Sequence, residues 1–151
     1  MQVEEYFHKG QVATPDFEAL KAAISSVKIS ISKGSSKDLR VIIEDCLAEL
    51  GWSQKVEITQ SARINITSVK GKSGLCLQTG NMSRFYADLI KLEYLYKKGK
   101  IANAIYILPS KECALKLGSN LVNFDRFVSE LQIFQNVITI PLSVIGLKSK
   151  I

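Results

Sequence analysis

Three side chains near the middle of the chain, Asn65, Cys76 and Gln78, have types that could do chemistry together. Two strand-like runs carry them, Ala62 to Val69 and Gly74 to Thr79, and side chains alternate across a strand. Asn65 then points away from Ile64 and Ile66, and Cys76 and Gln78 point away from Leu75 and Leu77, which puts the three on one sheet face. Such a face offers two amides and a thiol. Magnesium wants oxygen ligands with one or two carboxylates among them, and a thiol is a soft ligand poorly matched to it. Acids that could be recruited lie on the flanking helices, Glu44 and Glu49 before the strands and Asp88 and Glu93 after them, although each also suits an ordinary charged helix surface.

Basic residues surround the same stretch. Lys70 and Lys72 sit in the loop Lys70-Gly71-Lys72-Ser73-Gly74 between the two runs, and Arg84, Lys91 and Lys97-Lys98-Gly99-Lys100 follow. Lysines placed this way hold a duplex by its phosphates without reading bases, and they also serve solubility. Twenty Lys and Arg against fourteen Asp and Glu give a net charge of +6, which permits a polyanionic partner. His8 is the only histidine, so no mechanism can use a histidine pair, and no nucleophile elbow, P-loop or dinucleotide-binding glycine set is present. Cys46, Cys76 and Cys113 lie far apart with no C-x-x-C pair, which argues against a disulfide framework or a zinc site and for buried, reduced thiols.

The elements that must position these residues follow from periodicity. Met1 to Ala13 has no clear period and reads as a loosely packed arm or short helix. Thr14-Pro15-Asp16 supplies a cap, a first-turn proline and an acid, and opens a helix with Phe17, Leu20 and Ile24 on one edge. Val27, Ile29 and Ile31 alternate with polar residues as in a strand. Leu39, Ile42, Ile43, Cys46, Leu47 and Leu50 recur at helical spacing up to Gly51, and Trp52 folds the chain back as an apolar plug. After Lys55 to Thr59 and the two central strands comes a helix over Ser83 to Lys98, then an apolar run, Asn103 to Leu108, that suits a central strand covered on both faces. A short helix over Lys111 to Leu117, a helix opening at Asn123 and a strand over Val137 to Ile140 complete the pattern.

Length and composition, 151 residues and 46% apolar, fit one domain over residues 1–151, with 1–13 as the arm. No apolar run approaches the roughly 20 residues that span a bilayer, and Met1-Gln2-Val3-Glu4-Glu5 is acidic where a signal peptide is basic. Those features place the protein in the cytoplasm, away from membranes.

Gly74-Leu75-Cys76-Leu77-Gln78-Thr79-Gly80-Asn81, followed by Arg84-Phe85-Tyr86-Ala87-Asp88-Leu89-Ile90-Lys91-Leu92, resembles the second half of the catalytic motif of the BglII and BamHI group of restriction endonucleases, within the PD-(D/E)xK nuclease superfamily. The likeness runs from Leu39 to Pro109 and implies an α/β fold, a restriction-endonuclease-like central mixed sheet flanked by helices. It also implies double-stranded DNA as partner, a homodimer and Mg²⁺ as the cofactor of an active enzyme. Residue by residue, Gln78 matches the glutamine that can replace the motif's lysine, Cys76 the metal-binding glutamate and Asn65 the aspartate, so both formal charges of the usual metal site are missing. Glu44 is the favoured recruited acid, beside Asn65, for a metal. Lys70, Lys72, Asn81 and Arg84 are the candidate nucleic-acid contacts. The resulting expectation is a DNA-binding protein with weakened or absent cleavage. An active Mg²⁺-dependent endonuclease and a scaffold that binds no DNA are the alternatives.

Overall fold

The apolar run around Tyr106 becomes the middle of the molecule, because a strand with no polar face is stable only when both its faces are covered. In the computed structural model, which describes residues 1–61 and 63–149, the chain order is β1 (Gln2–His8), α1 (Pro15–Ser26), α2 (Ser36–Glu49), β2 (Val56–Glu57), β3 (Asn65–Ile66), β4 (Ser68–Lys70), β5 (Ser73–Leu77), α3 (Arg84–Lys97), β6 (Asn103–Pro109), α4 (Lys111–Leu117), α5 (Phe124–Ile133) and β7 (Leu142–Lys148). Five strands form one mixed sheet in the order β1-β7-β6-β5-β4, and β2 and β3 form a separate pair. The sheet is antiparallel at both edges and parallel across β5, β6 and β7, where the intervening helices make the crossovers. A central mixed sheet flanked by helices is the architecture that the sequence resemblance implies.

Alternation along β6 divides the core. Ala104, Tyr106 and Leu108 face α3 and α5, joining Cys76, Phe85, Leu89 and Phe127, while Ile105 and Ile107 face α1 and α2, joining Leu75, Leu77, Phe17 and Leu39. Local signals set the helix ends. Thr14 Oγ1 accepts from Phe17 N at 3.1 Å, and Gly51, at φ +85°, takes the left-handed conformation that closes α2. Trp52 is buried against that closing turn as expected, with its backbone N–H on Leu47 O at 3.0 Å. At Gly146 a Cβ would stand 2.6 Å from Glu4 Cγ and 2.7 Å from Phe124 Cδ2, so glycine is what lets α5 and β1 close on β7.

Four expectations are corrected. Within the expected arm, residues 2–8 form an ordered strand, since β1 pairs with β7 from Gln2 to His8. The alternating segment Val27 to Ile31 has no strand partner; its apolar residues pack on the core from an irregular extended stretch. The strand expected over Val137 to Ile140 instead begins after Pro141, at Leu142. Asn65 does not share a sheet with Cys76 and Gln78, because β3 pairs only with β2, where Asn65 opposes Glu57. Ala62, at the start of the strand expected there, lies outside the described residues. Among the described residues, no helix is long and apolar enough to cross a membrane.

His8 ties β1 to the approach to β7, with its buried Nε2 2.6 Å from Ile138 O. Burial is the largest influence on the ring and Lys9 acts the same way; together they outweigh the Ile138 carbonyl and Glu93 and lower its pKa below the usual 6.5. The unfolded chain therefore takes up the proton more readily, so this contribution is complete above pH 6.5 and is lost as the pH falls through the lowered value. Urea denaturation is expected to show stability declining from about pH 7.5 to about pH 5, and His8→Gln to flatten part of that decline. Parallel profiles for the two proteins would contradict it.

Candidate nucleic-acid cleft

The end of β5, strand β3 and one face each of α2 and α3 enclose an open cleft of about 900 Å³. Glu44, Asn65, Gln78 and Arg84 line it, as do Arg40, Thr67, Asp88 and Lys91. Of the eight candidate site residues, the structure gathers Glu44, Asn65, Gln78 and Arg84 in the lining and leaves Lys70, Lys72, Cys76 and Asn81 outside it.

Gln78 is held at both ends of its amide. Nε2 donates to Asp88 Oδ2 at 2.9 Å, and Oε1 accepts from Gly80 N at 3.1 Å. Asp88 is only 8% exposed. Besides Gln78, it accepts from Tyr106 Oη at 2.7 Å and stands 3.6 Å from Lys91 Nζ. Two donors and one ammonium satisfy a carboxylate that would otherwise be costly to bury. Burial first, and then the Asp88 charge, push the Tyr106 hydroxyl well above its usual pKa, so it remains a donor.

Cys76 lies beneath this network and does not reach the cleft; it is 1% exposed among the side chains around Tyr106 and Phe85. Burial, reinforced by the Asp88 charge, drives its thiol pKa far upward, so it stays protonated, without the thiolate needed to ligate or attack. Glu44 reaches the cleft with its charge already engaged, 2.9 Å from Arg40 Nε. Arg40 also donates from Nη1 to Leu77 O at 2.9 Å, fastening α2 to the end of β5.

The loop lysines bond to backbone carbonyls of this chain. Lys70 Nζ donates to Leu50 O at 2.8 Å and pairs with Asp16 at 3.0 Å, while Lys72 Nζ donates to Gly99 O at 3.1 Å. Neither lines the cleft. Asn81 Oδ1 accepts from Ser83 N and Ser83 Oγ, both at 2.9 Å, and thereby opens α3. The cations that do border the cleft are Arg40, Lys55, Arg84 and Lys91.

Magnesium fits these donors poorly. Glu44 is paired with Arg40, Asp88 is committed to Gln78, Tyr106 and Lys91, and Asn65 is neutral. Among the described residues, no group of three or more His, Cys, Asp or Glu side chains converges on a point where an ion could sit.

A sequence model of the family described as restriction endonuclease BglII/BglIII matches residues 7–147. The chain belongs to that family. Two solved structures share its fold: restriction endonuclease BglII complexed with a DNA 16-mer, at TM-score 0.87 and 13% identity, and free BglII, at TM-score 0.77 and 16% identity. Each match covers 99% of this chain, and 79% and 81% of the respective BglII chains. No curated protein sequence matches. Within the BglII family this chain is a restriction-endonuclease-like protein whose cleft holds Asn65 and Gln78, with Cys76 buried below.

Sequence reasoning passed over Arg40 and Thr67, and it weighed Asp88 as a recruitable acid or ordinary helix surface, not as a buried partner of Gln78 and Tyr106. Thr67 Oγ1 accepts from Leu77 N at 2.9 Å, which secures the end of β5. A signal for Asp88 did exist, for it falls three residues after Phe85 and four before Leu92, inside the buried stripe of α3. Tyr106→Phe is expected to remove one of the donors to Asp88 and lower unfolding stability by about 1–2 kcal/mol in urea denaturation. An unchanged midpoint would show that Asp88 does not depend on Tyr106.

Proposed function

We propose that this protein binds double-stranded DNA through the cleft and that phosphodiester cleavage is weakened or lost. The observation that carries the reading is the state of the two carboxylates best placed for chemistry: Glu44 and Asp88 are each balanced by a cation from their own helix, while the positions matched to the motif's acids hold Asn65 and Cys76. Binding draws support from the cations along the cleft and from a fold shared with BglII, whose structure contains a DNA 16-mer. In this reading Arg84 and Lys91, with Lys55 and Arg40, meet phosphates, and the loop lysines stabilise the fold. The protein acts in the cytoplasm as a homodimer, since a two-fold protein matches a two-fold duplex site.

Such binding releases counterions and weakens steeply with salt. Fluorescence anisotropy with a short duplex is expected to show that dependence, and Arg84→Ala to weaken binding and reduce the logarithmic salt slope by about 1. Plasmid incubated with Mg²⁺ or Mn²⁺ is expected to stay unnicked. Nicking abolished by Glu44→Gln would establish the active, metal-dependent enzyme instead, and no affinity at about 50 mM salt would establish the scaffold that binds no DNA.

A further inference from the structure

The ladder between β4 and β5 ends at Ser68 and Leu75, so the backbone N–H and C=O of Leu77, which turn to the same side as those of Leu75, have no strand to bond there. Two side chains supply the partners. Thr67 Oγ1 accepts from Leu77 N at 2.9 Å, and Arg40 Nη1 donates to Leu77 O at 2.9 Å. Arg40 also pairs through Nε with Glu44 Oε1 at 2.9 Å. Its helix is itself fixed, since Leu39, Ile43 and Leu47 of α2 pack in the core beside Leu75 and Leu77.

Leu77 and Glu44 both line the cleft. A backbone carbonyl oxygen and a carboxylate oxygen are what a hard divalent ion takes as ligands, and here one guanidinium takes both. An arginine carries five N–H donors and stays protonated in proteins. Among the described residues Arg40 gives one to Glu44 and one to Leu77, which leaves three, on Nη1 and Nη2, for a group in the cleft. Its side chain is 38% exposed, so a ligand can reach them. A phosphate is the matching acceptor, because guanidinium and phosphate meet through parallel, charge-assisted hydrogen bonds. Of the cations bordering the cleft, Arg40 is the one that the structure fastens to a strand end.

We propose that the Arg40 guanidinium is the resident cation of the cleft: held by the Leu77 carbonyl and the Glu44 carboxylate, it takes the oxygens open to a divalent ion, grips a phosphate of duplex DNA through its remaining donors, and makes that binding independent of divalent ions. Glu44 then has a double effect. It steadies Arg40, and it competes with the phosphate for the same charge. The inference rests on the reading that the cleft binds DNA, and adds which group stands in place of a metal there.

Anisotropy with a short duplex, in EDTA or in Mg²⁺ at one ionic strength, tests it. The parent is expected to bind equally in both, within about twofold. Arg40→Ala is expected to weaken binding about tenfold or more, and Arg40→Lys, which keeps the charge but not the planar fork, to recover only part of that loss. Glu44→Gln, at an exposed position that tolerates the change, is expected to tighten binding about threefold with or without Mg²⁺. A metal ligand at Glu44 gives the opposite sign. An arm without DNA uses Trp52, the one tryptophan of the chain, which lines the cleft. Removing the guanidinium frees its two oxygens, so quenching of that emission by Mn²⁺ is expected to saturate at about tenfold lower concentration in Arg40→Ala than in the parent. Circular dichroism confirms that each variant is folded. Parent binding that strengthens about tenfold in Mg²⁺, a Glu44→Gln protein that binds DNA more weakly, or equal Mn²⁺ quenching in parent and Arg40→Ala would overturn the inference while leaving DNA binding by the cleft intact. A parent with no affinity for the duplex in either buffer would overturn both.

Discussion

The Asp88 carboxylate sits where β5, β6 and α3 meet, and the cleft takes its shape from the way that charge is satisfied. Gln78 reaches it from just past the end of β5, Tyr106 from the middle of β6, and Lys91 from one turn farther along α3. A buried carboxylate left unpaired would destabilise the fold by several kcal/mol, so the three elements that supply its partners are locked in mutual register. The same bonds fix the wall of the cleft, because Gln78, Asp88 and Lys91 all line it. Structural support and the surface facing a ligand are here one network.

A hard divalent ion is held by carboxylates that have lone pairs to give. In this protein Asp88 accepts from internal donors, Glu44 pairs through one oxygen with Arg40, and burial keeps the Cys76 thiol protonated. What faces the cleft is mixed in charge, with Arg84 and Lys91 on α3 and Arg40, Glu44 and Asp45 on α2.

α3 is the element on which these roles converge. Its core face packs on the sheet and its second face lines the cleft. A helix with two differently occupied faces cannot be moved or rotated without disturbing both. The bonds from Thr139 and Ile140 to Glu93 hold it from the far side, and those from Gln78 and Tyr106 to Asp88 hold it from the near side.

The sequence by itself determined the helices with clear caps and stripes, the central strand around Tyr106, the turn at Gly51-Trp52 and the family likeness from Gly74 to Leu92. Those features are written locally, in side chains within a few residues of one another. It did not determine that Gln2 to His8 is an edge strand, because that pairing joins the two ends of the chain and β1 carries no apolar run of its own. Nor did it show that Val27 to Ile31 would pair with no described strand, or that Lys70 and Lys72 would bond to the carbonyls of Leu50 and Gly99. Asn65, Cys76 and Gln78 illustrate the division best. Alternation put Cys76 and Gln78 on one face, but only the tertiary structure set that face against α3, separated Asn65 into another sheet and sealed Cys76 beneath Asp88. Period-two alternation fixes which face of a strand a residue takes; what lies against that face is decided by contacts tens of residues away, and those contacts set burial and charge.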